Sequence, residues 1–432
     1  MTQQRTRGLL ALCSSVAFER AAFYGLQGIL ALYLADRLDD EGMQASIWLL
    51  PAIATMTGTD GLALVGIITG AFVSAAALAP ALGGILADRL MGIHRAILVG
   101  GGMMGVGHGL LLLDYVLLPA LGLIAFGSGL FKGPAAARLS GLYTQDAPQR
   151  VEGFRLFYLA INIAGLAGPL LTGTLGERVS WHAAFAVSCA LMLAGLCIYH
   201  HRFAGRPEAP TERLPTQDSG IRHTNLAGLA LLWWSVAFLT IPNAQLTNAY
   251  LTWVSRDFER SLGGWEFPAS WIIAADGLLG LLALAGSGLF WRMFERRFGS
   301  LPPSAKATAG AVFVSIGAGL LVLASAIQED ARVPVAWGLG FQLCNSLGLA
   351  NVLPAAMAIF GQSSTRHNIA TAMAGFYLSL FAGGLASTWL ASLFPSLPIT
   401  TFWLLHAACA LCGTVGLAIY RPDRDRRHST KA

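Results

Sequence analysis

Twelve apolar stretches, at approximately 8–35, 61–87, 95–113, 116–142, 151–176, 181–202, 225–253, 267–293, 304–327, 334–360, 369–392 and 398–420, take up most of this chain. Each exceeds the roughly 17 residues that a helix needs to cross a hydrocarbon layer about 30 Å thick. The 432 residues are 55% hydrophobic and only 12% charged, with a mean hydropathy of +0.60, which leaves too little polar surface to cover a soluble globule. The expected fold class is therefore an all-α membrane protein of twelve transmembrane helices in two six-helix bundles. The 50 glycines agree, because small residues let membrane helices approach closely. Cys13, Cys189, Cys197, Cys344, Cys409 and Cys412 all fall in apolar segments without metal-ligand spacing, so they read as packing residues, with no disulfide framework and no metal. The first stretch is too long for the apolar region of a signal peptide and has no clear cleavage site, so none is expected.

The longest hydrophilic interruption, HRFAGRPEAPTERLPTQDSGIRH at 201–223, carries three prolines and follows the sixth stretch. It predicts an N-terminal bundle over 1–202, a cytoplasmic linker over 203–224, a C-terminal bundle over 225–420 and a basic tail over 421–432. Basic residues set the orientation. With the N-terminus inside, twenty of the 28 lie on the cytoplasmic side, and only Arg37, Arg178, Arg256, Arg260 and Arg332 lie on the other. Both termini are thus expected in the cytoplasm, and the short loops favour a bacterial plasma (inner) membrane. This asymmetry accounts for the formal charge of +5 without a nucleic-acid partner, and the arginine-rich tail reads as an anchor near anionic lipid.

Charges inside the apolar stretches carry the functional signal. One ionised side chain at mid-membrane costs roughly 2.5–3.5 kcal/mol even on lenient scales, so an intramembrane ion marks a site by default. Glu19 and Arg20 stand mid-way along the first stretch, Lys132 in the fourth and Asp276 in the eighth. Arg138, near the end of the fourth, has snorkelling as an adequate explanation. Lys132 is about 17 residues, or roughly 25 Å at 1.5 Å per residue, from the far end of its stretch and needs an anion nearby. Arg20, Tyr24 and Gln27 fall at i, i+4, i+7 and line one stripe, while Glu19 is rotated about 100° away. Arg20 is thus expected to face a cavity as Glu19 turns toward the fourth helix and Lys132. A purely structural ion pair that fixes helix packing is the alternative.

FERAAFYG at 18–25, LGGILADRLMGIHRAILVG at 82–100, GLFKGPAAARLSGLY at 129–143 and GFRLFYLAINIAG at 153–165 resemble, in order over 15–185, the proton-dependent oligopeptide transporter family, a branch of the major facilitator superfamily. The C-terminal half is less similar; WEFPASW before the eighth stretch and Gln245 in NAQ are its recognisable pieces. The resemblance implies alternating access around a midplane site. It places Glu19, Arg20 and Lys132 at the family's charge positions, with Tyr158 and Asn162 in its fifth-helix signature and Asp88 and Arg89 latching the cytoplasmic gate. Arg20, with Lys132, would receive a substrate carboxylate in two parallel hydrogen bonds. Protonating Glu19 would free its cationic partner.

Departures from the family pattern bear on the substrate. Val16 stands where the family has a further glutamate, Ala21 and Phe23 replace two aromatic positions, Gln27 replaces a basic residue and Gln342 replaces a glutamate that meets a peptide's amino terminus. Asp276 stands where the family usually has asparagine, so it is expected either to contact the substrate amine or to serve as a second proton site; a packing aspartate is the alternative. The proton-coupling set is thus Glu19, Lys132 and Asp276, and the substrate-binding set is Arg20, Tyr24, Gln27, Lys132, Tyr158, Asn162, Gln245, Asp276 and Gln342.

His108 and His406 are weaker candidates for relaying protons, since a membrane histidine more often satisfies a backbone carbonyl. Asn345 and Asn351 either line a cavity or hold helices together. The chain has no G-x-S-x-G, H-E-x-x-H or Cys/His cluster, which argues against an enzyme, and no phosphate-cradling glycine loop, which argues against ATP. The expected function is proton-coupled symport of di- or tripeptides or peptide-like carboxylates, by a monomer in a lipid bilayer, with no cofactor. The runner-up is uptake or efflux of a non-peptide metabolite bearing a carboxylate.

Overall fold

The computed structural model describes residues 3–38, 46–142, 147–204, 226–328, 332–362 and 369–420. The expected linker and tail fall outside these residues, apart from 203 and 204. The helices are α1 (Gln3–Arg37), a short α2 (Leu50–Thr57), α3 (Gly61–Leu86), α4 (Ile93–Leu110), α5 (Leu117–Gly141), α6 (Ala147–Arg178) and α7 (Trp181–Phe203). They continue with α8 (Leu226–Ala244), a short α9 (Ala249–Asp257), α10 (Trp271–Phe298), α11 (Pro303–Ile327), α12 (Val335–Gln362), α13 (Ile369–Ser392) and α14 (Ile399–Ile419). Among the described residues, ten helical segments are long and apolar enough to cross a membrane, two fewer than the twelve expected. Of the expected stretches, those of α4 and α13 are outside that set, as is the short α2. In α4 the apolar run is short: eighteen residues that include His94, Arg95 and His108.

The chain divides into two compact units. The first comprises Met1–Pro215, Thr247–Arg256 and Arg260–Leu278, so it holds α1–α7 together with most of α9 and the first third of α10. Within it α1 packs on α6 and α7, and α5 on α3 and α4. Glycine makes the tightest of these contacts. A Cβ on Gly100 of α4 would stand 2.6 Å from the Gly127 carbonyl oxygen of α5, and the reverse holds for Gly127, so the two backbones touch where any side chain would separate them. At one end of α1 the Tyr33 hydroxyl donates to Asp114 at 2.6 Å, with Arg37 and His182 beside the same carboxylate.

The second unit comprises Thr216–Leu246, Asp257–Glu259 and Leu279–Ala432. Here α11 packs on α12 and α14, and α8 on α13 and α14, around a core that includes Leu232, Val236, Leu239, Val314, Val352 and Phe376. The seventh stretch is broken rather than continuous. Pro242 lacks the N–H of a regular turn, α8 ends two residues later, and Gln245–Asn248 form a turn before α9. Among the described residues there are also four two-residue strands. β1 (Phe258–Glu259) runs parallel to β4 (Val333–Pro334), and β2 (Ser261–Leu262) pairs antiparallel with β3 (Trp265–Glu266). The β2–β3 turn is Gly263–Gly264, with φ of 61° and 85°, the left-handed pair that a tight hairpin demands.

Candidate functional site

Glu19 and Arg20 are both buried, at 0% and 2% exposure, and form an ion pair with each other. The Arg20 Nε and Nη2 donate to the two Glu19 carboxylate oxygens, and Nη2 also donates to Ser128 Oγ of α5 at 2.8 Å. The guanidinium lies 4.7 Å from the Phe23 ring centroid and 5.6 Å from that of Tyr24. This corrects the expectation that Glu19 turns away from Arg20 toward Lys132. Rotation along the helix separates the two Cα–Cβ bonds, but both side chains are long enough to bend together. In a medium of low dielectric the attraction between unlike charges outweighs that bend.

Lys132 has an exposed side chain, within electrostatic reach of Tyr24, Arg20 and Glu19. The ion pairs found among the described residues do not include it. Along α1, every residue from Glu19 to Leu34 is buried except Tyr24 and Gln27; Arg20, the third residue of the predicted stripe and expected to face a cavity, is buried with its partner Glu19. A matching stripe runs along α6. Tyr158 is exposed, and the half-buried Asn162 donates its side-chain amide to the Tyr158 carbonyl at 2.8 Å. One turn further, a Cβ on Gly165 would stand 3.8 Å from the Tyr24 ring.

Gly165 also meets α10. A Cβ on Gly277 would lie 3.0 Å from the Gly165 carbonyl oxygen, which puts Asp276 one residue from that contact. Asp276 is half-buried and interacts electrostatically with Tyr250 of α9. Arg20, Tyr24, Lys132, Asn162 and Asp276 therefore belong to one packing unit, joined through the small residues at Gly165 and Gly277.

The remaining candidates lie elsewhere. Gln245 is fully buried in the second unit; its Nε2 donates to the Ser387 carbonyl at 2.9 Å and lies 3.0 Å from His406 Nε2. His406 Nδ1 faces the Phe402 carbonyl at 2.8 Å, so Nδ1 carries the proton and Nε2 accepts from Gln245. Gln245 thus ties the end of α8 to α13 and α14, and His406 satisfies a backbone carbonyl. Gln342 is buried in α12, where Asn345 donates to Asn243 at 2.7 Å. Arg138 is buried, with its guanidinium 4.9 Å from the ring of Phe203, the last residue of α7, an attraction that offsets part of its desolvation. The gate candidates Asp88 and Arg89 lie in a π-helical turn, Ala87–Met91; Arg89 is exposed, and the Asp88 side chain is outside the described residues.

Two residues that sequence reasoning passed over belong to this description. Ser128 precedes Lys132 by four, so helical spacing puts it on the same face of α5, a signal that was available. Glu177 accepts three hydrogen bonds from residues 269 and 270, a pairing with no local sequence signature. Among the described residues no group of three metal-ligating side chains is found.

Residues 62–206 match the model of the POT family. A di-/tripeptide transporter of Lactococcus lactis subsp. lactis (strain IL1403) is 33% identical over 232 residues, 52% of this chain and 44% of that relative, so the match spans less than half of the relative's length. Among solved structures, a peptide transporter POT in complex with sulfate has a TM-score of 0.81 at 18% identity, covering 96% of this chain and 94% of that one. A POT family transporter in complex with 5-aminolevulinic acid has a TM-score of 0.79 at 16% identity, covering 96% of each chain. At these identities the structural likeness shows a shared fold.

Proposed function

We propose that this chain, a multi-pass membrane protein, is a member of the POT family and a secondary active transporter rather than an enzyme, coupling proton entry to uptake of di- or tripeptides or peptide-like carboxylates; the match over residues 62–206, the membrane-spanning helices and the shared fold support the reading. The single observation that carries the reading is the closed Glu19–Arg20 pair, buried beside the exposed Lys132 and the open Tyr24–Gln27 stripe. A proton arriving on Glu19 removes its charge. Arg20, still held by Ser128, then presents a planar fork to a substrate carboxylate, with Lys132 as a second cation. Tyr24, Gln27, Tyr158 and Asn162 line the space around it. Asp276, the acidic side chain near this patch through Gly277 and Gly165, takes the substrate amine. Alternating access delivers substrate and proton together in a monomer of the plasma membrane, and the basic-residue asymmetry supports cytoplasmic termini. Gln245 and Gln342 act as packing amides in this account.

A second reading, transport of a non-peptide carboxylate, is supported by Val16, Gln27 and Gln342, which stand where the family pattern has three charged residues. The two are separated by competition in liposomes. Labelled dialanine taken up under an inward proton gradient and displaced by other dipeptides supports the first. Displacement only by non-peptide amino acids, or no dialanine uptake by folded protein, supports the second.

A further inference from the structure

Glu177 lies in the last turn of α6, where the negative end of its own helix disfavours a carboxylate. Its hydrogen bonds explain why it is there. One oxygen accepts from Ala269 N at 2.7 Å; the other accepts from Ser270 N at 2.9 Å and from Ser270 Oγ at 2.6 Å. These donors stand in the turn just before α10, whose own first N–H groups, of Trp271, Ile272 and Ile273, bond back to the carbonyls of Pro268, Ala269 and Ser270. Ser270, the residue best placed to cap α10 itself, donates its hydroxyl to Glu177 instead. One turn back, Thr174 Oγ1 accepts from the Trp271 indole at 2.9 Å, and Gly173 leaves the space that Ser270 fills. The carboxylate of α6 thus clamps the turn that leads into α10, with charge-assisted bonds to it.

From Ser270 to Asp276 is six residues, or about 9 Å along the axis. At that level Gly277 closes on Gly165, so α10 is gripped by α6 above and below a short segment that carries Asp276. We propose that Glu177 is a positioning residue for substrate: by holding the start of α10 it fixes the height and rotation of that helix, and so where the Asp276 carboxylate stands relative to the Arg20, Tyr24 and Lys132 patch. This rests on the reading of Asp276 as the amine contact. A carboxylate displaced by even an ångström loses much of its directional bonding to an amine.

The test has two arms on the full-length protein. In the first, without substrate, hydrogen–deuterium exchange of residues 269–277 is compared between wild type and Glu177→Gln, which keeps the shape and leaves one acceptor oxygen. Faster exchange there, with the rest of α6 unchanged, supports the clamp, and wild-type protection overturns it. In the second, apparent affinities for dialanine and N-acetyl-dialanine are measured for Glu177→Gln, Asp276→Asn and the double variant. The expected result is an affinity for dialanine about tenfold weaker in Glu177→Gln, the equivalent of one lost charge-assisted bond, with N-acetyl-dialanine unaffected and no further loss in the double variant. Equal weakening for both ligands, or losses that add in the double variant, overturns the positioning role. If Asp276→Asn alone leaves the amine preference intact, the reading of Asp276 falls and the positioning role with it, while the exchange arm still judges the clamp.

Discussion

Arg20 spends its Nε and Nη2 on the carboxylate of its chain neighbour Glu19, and the same Nη2 reaches Ser128 on α5. The cation is thereby fixed in place while its charge is masked. A receptor for a carboxylate needs the first property at all times and the second only until the coupling proton arrives.

Removing one partner of this pair leaves an uncompensated buried charge, which costs about 3–5 kcal/mol when the site cannot relax. Arg20→Leu is therefore expected to lower the thermal midpoint sharply, and Glu19→Gln/Arg20→Leu to recover most of it. The measurement is thermal unfolding in detergent of the two single variants and the double. Equal midpoints for Arg20→Leu and wild type would mean that the pair does not close in the membrane.

Arg20→Lys keeps the charge and loses the fork. The expected outcome is a folded protein whose KM for dialanine rises about tenfold, the cost of one charge-assisted hydrogen bond, with a smaller change for dialanine amide. Transport kinetics with the two peptides check it.

Lys132 is exposed and outside the ion pairs found among the described residues, so it can be neutralised without stranding a partner. Lys132→Gln is expected to leave stability within about 0.5 kcal/mol of wild type, as surface-like substitutions do, while weakening ligands that carry a free carboxylate. A loss of stability equal to that of Arg20→Leu would assign Lys132 to packing.

Gln245 gives the opposite pattern. Gln245→Ala removes the donor to Ser387 and His406, leaving buried acceptors unsatisfied at about 1–3 kcal/mol. The thermal midpoint is expected to fall and the KM for peptide to stay the same. A raised KM at unchanged stability would restore Gln245 to the substrate-binding set.

These contrasts show where the sequence was legible. Hydropathy locates membrane helices whatever their packing, so the all-α membrane class and the stretches around residues 8–35 or 304–327 could be read directly. The break at Gln245–Asn248 was masked because the apolar run continues through it. Helical spacing grouped Arg20, Tyr24 and Gln27 on one stripe of α1, and Tyr24 and Gln27 are its open residues while Arg20 is closed in by Glu19. It misplaced Glu19, because spacing fixes where a side chain starts and says nothing of how a long one bends. Gln245 and Asn162 looked alike as membrane amides; only the neighbours they meet, His406 in one case and a partly open helix face in the other, separate them. Glu177 was invisible for a plainer reason, since its partner Ser270 is 93 residues away.

The central claim is that protonation of Glu19 releases Arg20 for substrate, and the most direct measurement is uptake of labelled dialanine in liposomes by wild type and Glu19→Gln, with and without an inward proton gradient. The account predicts that Glu19→Gln still exchanges dialanine across the membrane at equal concentrations but no longer accumulates it when the gradient is applied. Gradient-driven accumulation at the wild-type level in Glu19→Gln would contradict it.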